Sequence, residues 1–259
     1  MARYPRQDDP KGKNVIPSVT EIIGDCTDGT PWAIPYGANQ ACDWIIENCA
    51  KSIDFVGDDC LIVYEDELRR KRKDEKDYPN NARYAHKHHS QKALDIGSEV
   101  HNAIELFLKD KISSVSTGEE LVGMMFCDQA RYAFIAFLDW ENEHNLKPIS
   151  VEQTVYGDVD GYCWAGTMDI ECYLNDKRTV IDFKTSKDFY WDSMGPQIAA
   201  YKSLTDVTHC GILRLDKESG MPFYRDRTKY YERDLKIFKH MVRIYMLRHP
   251  KIAKGCFNG

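Results

Sequence analysis

Asp182 and Lys184 stand two residues apart in VIDFKTSK, residues 180 to 187, an apolar run with the character of a buried strand. Strand alternation sends residues i and i+2 to one face, so this acid and this lysine project together while Ile181 and Phe183 point the other way. A buried, isolated charge costs several kcal/mol, so each needs a partner. Upstream, YCWAGTMDIECYL places Thr167, Asp169 and Glu171 on one face and Met168, Ile170 and Cys172 on the other. If the two strands pair as a hairpin, Asp169 comes beside Asp182, and two such carboxylates repel unless a cation lies between them. Hard oxygen ligands with open positions suit Mg²⁺ or Mn²⁺ better than zinc. Lys184 beside them would polarise a water and stabilise developing negative charge, the need of phosphodiester hydrolysis. Glu171 is the substitute carboxylate. The plainer alternative is an Asp182–Lys184 salt bridge on an edge strand, with Asp169 capping a turn.

Other residues with chemical capacity lie on flanking segments. Gly97, His101 and Glu105 follow one another at helical spacing, so the glycine would let the helix approach the sheet while the histidine faces the same way. His101 is either a ligand or an ordinary half-buried histidine, and Glu105 either its partner or a surface acid. Gln197 and Tyr201 are one helical turn apart. Their alternatives are a polar first-turn residue and a core aromatic. Glu152 faces either the site or solvent.

These side chains need a sheet backed by helices. PSVTEIIGD opens with a Ser18-x-x-Glu21 capping box, which predicts a short helix ending near Gly24. The Gly- and Pro-rich residues 25 to 38 read as a loop, and helices are expected at 39 to 50, 58 to 75 and 81 to 109. Residues 119 to 145 read as one buried helix. From residue 150 the period becomes alternating: SVEQTVYG, YCWAGTMDIECYL and RTVIDFKTS read as successive strands, with turns at GDVDG and NDKR. A helix at 193 to 205, strands THCGILRLD and MPFYRD around the turn KESG, and a last helix at 230 to 248 complete the chain. The expected class is α/β (α+β), a mixed sheet flanked by helices with a helical N-terminal part. One domain is expected over 1–259, its helical part at about 17–147 and its β-rich core at about 148–259, completed by the helix at 91–109.

With 259 residues, 42% of them hydrophobic and 29% charged, the composition is that of a soluble globular chain. No run approaches the length of a membrane span and the first residues lack a signal-peptide core, so a cytoplasmic protein is expected. Nine cysteines with no C-x-x-C pair read as free, mostly buried thiols. The net charge of −6 does not suggest a protein that coats nucleic acid, but residues 69 to 92 hold nine Lys or Arg against three acids.

GTMDIECYLNDKRTVIDFKTSK resembles the G-x-x-D and hydrophobic-D-hydrophobic-K-T signature of the PD-(D/E)XK nuclease superfamily, in its RecB-like exonuclease branch. GSEVHNAIE is similar to that branch's G-x-x-x-H-x-x-I-E helix, VEQTVY to its first core strand, and PQIAAYKSL to its Q-x-x-x-Y helix. PSVTEIIGD is similar to the opening of the mitochondrial genome-maintenance exonuclease and of related viral and phage proteins. The resemblance covers residues 17 to 215 in segments. It implies a restriction-endonuclease-like core, with His101, Asp169, Asp182 and the Phe183 carbonyl as metal ligands and Lys184 as the catalytic lysine. It further implies that Gln197 and Tyr201 orient the lysine, water or phosphate, and that Glu152 touches the metal through water. Mg²⁺ or Mn²⁺ is the expected cofactor. The cysteine trio that holds an iron–sulfur cluster in relatives is missing from the sequence, so no cluster is expected.

The resulting expectation is an exonuclease for DNA ends and single strands, with recombination or replication proteins as its partners and phage or viral DNA processing as its setting. Arg83, Lys87, His88 and Lys92, from the basic stretch preceding the His101 helix, are the expected phosphate contacts. Trp32 and Tyr36 are the expected stacking surfaces. A structure-specific or restriction-type endonuclease and a non-catalytic binding module of the same fold are the alternatives.

Overall fold

The structure, a computed structural model, describes residues 4–5, 15–27, 53–55, 61–63, 85–112, 118–125 and 127–250. The chain divides into two compact units, residues 1–28 with 96–259 and residues 29–95. The first segments are β1 (Tyr4–Pro5), β2 (Val15–Ile16), α1 (Val19–Thr27), β3 (Ile53–Phe55) and β4 (Leu61–Val63). Then come α2 (Ala85–Ile112), α3 (Gly118–Met124), α4 (Asp128–Glu143), β5 (Lys147–Val159), β6 (Tyr162–Leu174) and β7 (Lys177–Lys184). The chain ends with α5 (Trp191–Lys202), β8 (His209–Leu215), β9 (Pro222–Asp226), a 3-10 turn at Thr228–Tyr230 and α6 (Tyr231–Arg248).

In the smaller unit β3 and β4 pair antiparallel. The helix expected over 58 to 75 therefore fails at residues 61–63, where three apolar residues in a row carry no helical period. The helix expected at 39 to 50 lies outside the described residues.

In the larger unit β5 to β9 form one sheet in sequence order. Every neighbouring pair is antiparallel except β7 and β8, which run parallel and are joined through α5. A parallel pair needs such a crossover, whereas the two preceding connections are tight. Asp160 and Gly161 (φ 55° and 82°) and Asn175 and Asp176 (φ 48° and 63°) carry the left-handed central residues of primed hairpin turns. The class expected from the sequence, a mixed sheet flanked by helices, is the one observed.

Helix boundaries follow local chemistry. Ser18 Oγ accepts the Glu21 N–H at 3.0 Å and so caps α1. The Glu21 carboxylate does not close the box but accepts the Tyr245 hydroxyl at 2.7 Å. The single helix expected at 119 to 145 is two, because Cys127 adopts extended backbone and its sulfur caps the Ala130 N–H. Of the cysteines, Cys26, Cys127, Cys172 and Cys210 are free. Cys163 departs from the free-thiol expectation, being disulfide-bonded. Among the described residues no helix is long and apolar enough to cross a membrane.

Two apolar layers enclose the sheet. Ile104 of α2 and Phe134 and Phe137 of α4 pack with Ile170, Ile181, Phe183 and Leu213. Ile22 of α1, Ile198 of α5 and Phe238 of α6 pack with Met168, Val180 and Ile212. Each fully buried side chain of this size contributes about 1.5–3 kcal/mol. Met168 and Ile170 thus join different layers, although strict alternation puts them on one face. Val151 and Val155 of β5 divide in the same way. Both strands reverse their facing over the same stretch, where Glu152 takes a left-handed backbone (φ 51°).

Candidate metal centre

The change of facing positions the site. Glu152 falls between the register pairs Val151–Ile170 and Gln153–Met168, opposite Asp169. The β6–β7 register runs from Leu174–Lys177 only as far as Ile170–Ile181, while the β7–β8 register continues to Lys184–Arg214. Residues 182 to 184 are therefore held on one side by β8 and open on the other toward Asp169. The Asp169 carboxylate enters that opening, and its Oδ2 accepts the Phe183 N–H at 2.6 Å, replacing the ladder bond that β6 no longer provides.

His101 reaches the same point from α2. Its Nε2 donates to the Phe183 carbonyl at 3.1 Å, and its Nδ1 lies 3.6 Å from Asp169 Oδ1. The ring meets Phe183 edge-on, with Phe137 behind it. Gly97, one turn earlier, brings α2 close to the chain after β7: a Cβ there would sit 3.1 Å from Thr185 Oγ1. His101, Glu152 and Asp169 bring ligand atoms within 4.8 Å of one another. Asp182 is not in that trio. It is 1% exposed, with Lys184 Nζ 2.5 Å from its Oδ2, an oxygen that has no well-aligned hydrogen bond.

Proton affinities report an incompletely neutralised acid cluster. Burial and the Asp169 charge push Glu152 up to about 7. Burial raises Asp182 to about 6 against the pull of Lys184, and Asp169 adds to the rise. Asp169 is itself lowered, because the His101 charge and hydrogen bond outweigh its burial. His101 is raised, burial being outweighed by Asp169, and Lys184 is raised because the two aspartates outweigh its burial. Lys184 therefore keeps its ammonium charge.

Gln197 and Tyr201 are buried on α5, and Tyr201 lies near enough to Asp182 to feel its charge. Gln197 Nε2 donates to the Tyr201 hydroxyl at 3.4 Å. Burial and the Asp182 charge raise Tyr201 well above the usual phenol range, so it stays a protonated donor. Gly166 makes room for its ring: a Cβ at that position would lie 2.5 Å from Tyr201 Cε1.

No family model matches the chain, and no curated protein matches it. A solved structure described as "Crystal structure of SSO0001" is 14% identical, and the alignment covers 57% of this chain and 74% of that one at a TM-score of 0.30. A likeness that slight carries no argument about chemistry.

The sequence-predicted residues divide into three groups. His101, Glu152, Asp169, Asp182, Phe183 and Lys184 come together, with Gln197 and Tyr201 adjoining. Glu171, the alternative carboxylate, is engaged by Arg178 at 2.6 Å, and Glu105 pairs with Lys109. Lys92 is exposed on α2. Trp32, Tyr36 and Arg83 lie outside the described residues, as do the side chains of Lys87 and His88. Sequence reasoning missed Arg214, the register partner of Lys184, whose Nη1 donates to the carbonyls of Ser186 and Lys187 at 3.4 and 3.0 Å. Its place was readable only from the parallel register, which no local pattern encodes.

The donors fit a hard divalent cation. One imidazole, two carboxylates and a backbone carbonyl converge, and Glu152 and Asp169 face each other at a proton cost that a bound cation removes.

Proposed function

We propose that the chain is a divalent-metal-dependent deoxyribonuclease of the PD-(D/E)XK superfamily, in its RecB-like exonuclease branch, hydrolysing phosphodiester bonds at DNA ends and in single strands. The observation that carries this reading is the convergence of His101, Glu152 and Asp169 beside the buried Asp182–Lys184 pair. A protein that merely binds DNA has no use for clustered carboxylates next to phosphate, whose charge they repel.

On this reading His101, Glu152, Asp169 and the Phe183 carbonyl hold Mg²⁺ or Mn²⁺, with Asp182 beside them. The cation, when bound, supplies positive charge that acidifies water and offsets charge on the phosphate. The chain's own groups do the rest. Lys184, kept protonated by the two aspartates, donates to the phosphate oxygen on which charge grows. Asp182 fixes the ammonium in place through their 2.5 Å contact. Tyr201, protonated and backed by Gln197, orients the same region from α5. His101 locks the Phe183 carbonyl toward Asp169, so the ligands are preassembled by α2 and β7.

The experiment is incubation of circular and linear DNA, single-stranded and duplex, with Mg²⁺ or Mn²⁺. Degradation of linear molecules alone is the expected result. Cleaved circles would make the enzyme an endonuclease, and intact DNA in every arm would leave only a binding module. Lys184→Ala and Asp182→Ala should each abolish cleavage while the protein remains folded.

A further inference from the structure

In-register residues of a sheet share a face, so two rows cross the strands from the metal centre outward: Lys184, Arg214 and Phe223, and Asp182, Ile212 and Arg225. β9 is the edge of the sheet and stands about 10 Å from β7, two strand spacings away. Over these rows runs the segment that follows Lys184. Arg214 holds it down through the carbonyls of Ser186 and Lys187. The Phe189 ring lies 5.6 Å from both the Arg214 and the Arg225 guanidinium and stacks on Trp191 at 4.9 Å and 7°. Arg227, buried and paired with Asp234, closes the other face of Trp191 at 4.4 Å. This alternation of cations and rings fixes the segment before any ligand arrives.

Resting on the nuclease reading above, we propose that this strip, from Lys184 across Arg214 to the β9 edge, is a single-stranded DNA subsite that seats the nucleotides next to the scissile phosphate. Tyr190 supplies the stacking face: it is 52% exposed and sits between the two stacked rings in sequence, so its backbone is held. Arg225 and Lys187 supply the phosphate contacts. Both are exposed, and among the described residues neither forms an ion pair. The adjoining acids are tied to backbone or to Arg214: Asp188, exposed, accepts the Phe189 N–H at 2.7 Å and Asp226, also exposed, the Thr228 N–H at 2.8 Å, while Asp216 pairs with Arg214. Arg214 Nε is buried with no hydrogen-bond partner. Its remaining bonds all serve the 186–187 segment and Asp216, so it holds the strip rather than touching the strand. An exposed ring on a held backbone offers its face to an unpaired base, hence a single strand.

The test uses the full chain, a fluorescent twelve-residue oligothymidine, and Ca²⁺ in place of the catalytic ion. Tyr190→Ala should weaken binding about 10-fold and Tyr190→Phe should restore it, since the ring face is what matters. Arg225→Ala should weaken binding and lower the salt slope by about 0.7, the share of one single-strand phosphate contact. Mn²⁺ affinity should be unchanged in all three variants, which separates a lost subsite from a damaged core. Equal oligonucleotide affinity for wild type, Tyr190→Ala and Arg225→Ala would overturn the subsite, as would tighter binding of a blunt duplex than of the single strand. Failure of the nuclease reading looks different: the wild type would cleave no DNA in Mn²⁺.

Discussion

Glu152 gives the sharpest prediction. Its carboxyl is held at about 7 by burial and by Asp169. A cation held by Glu152, His101 and Asp169 can bind only after Glu152 and His101 have lost their protons, so binding releases protons. For Glu152 alone, the deprotonated fraction rises about 10-fold between about pH 6 and about pH 8, which is about 1.4 kcal/mol of apparent affinity. His101, itself raised because Asp169 outweighs its burial, contributes a second released proton. Mn²⁺ affinity followed by calorimetry from about pH 5.5 to about 8.5 should therefore climb steeply below neutrality and flatten above about pH 8. In Glu152→Gln the slope should fall by one proton and the plateau affinity should drop. An identical pH slope in wild type and Glu152→Gln would refute the placement of Glu152 among the ligands.

Other expectations concern the support of the site. Gly166→Ala should displace the Tyr201 ring and cost about 1–3 kcal/mol in urea unfolding, because its Cβ would overlap Tyr201 Cε1; unchanged stability would mean that the ring moves freely. Asp234→Ala should cost about 3–5 kcal/mol, since Arg227 would be left buried without its carboxylate. Asp216, lowered to about 2 by the turn N–H groups of Ser219 and Glu218 and by Arg214, contributes stability that is present above about pH 4 and is lost as pH falls toward about 2. Its partial exposure limits that contribution to about 1–2 kcal/mol, and an acid titration of Asp216→Ala should lack the corresponding step.

What the sequence could convey was local. The hairpins on either side of β6 were readable from Asp160-Gly161 and Asn175-Asp176, because those residues tolerate the left-handed turn. The Ser18 cap and the pairing of Asp182 with Lys184 followed from spacing alone. What failed was long-range. Alternation placed Met168 with Ile170, yet β5 and β6 reverse their facing around Glu152 and Asp169, a change that depends on both strands at once. The break at Cys127 was missed because cysteine is a weak capping residue and the apolar pattern continues across it. The candidate ligand trio of His101, Glu152 and Asp169 also differs from the acid pair expected from β-pairing, because the β6–β7 ladder ends before it reaches Asp169 and Asp182. That early ending opens the gap into which His101 and Glu152 converge.

The central claim is that one imidazole and two carboxylates from three different elements hold a divalent ion beside Lys184. Pulsed electron paramagnetic resonance of the Mn²⁺-loaded chain, with its histidines labelled with ¹⁵N, tests it most directly. The account predicts coupling to a single histidine nitrogen that disappears in His101→Gln. A Mn²⁺ spectrum without nitrogen coupling, or one that His101→Gln leaves unchanged, would contradict it.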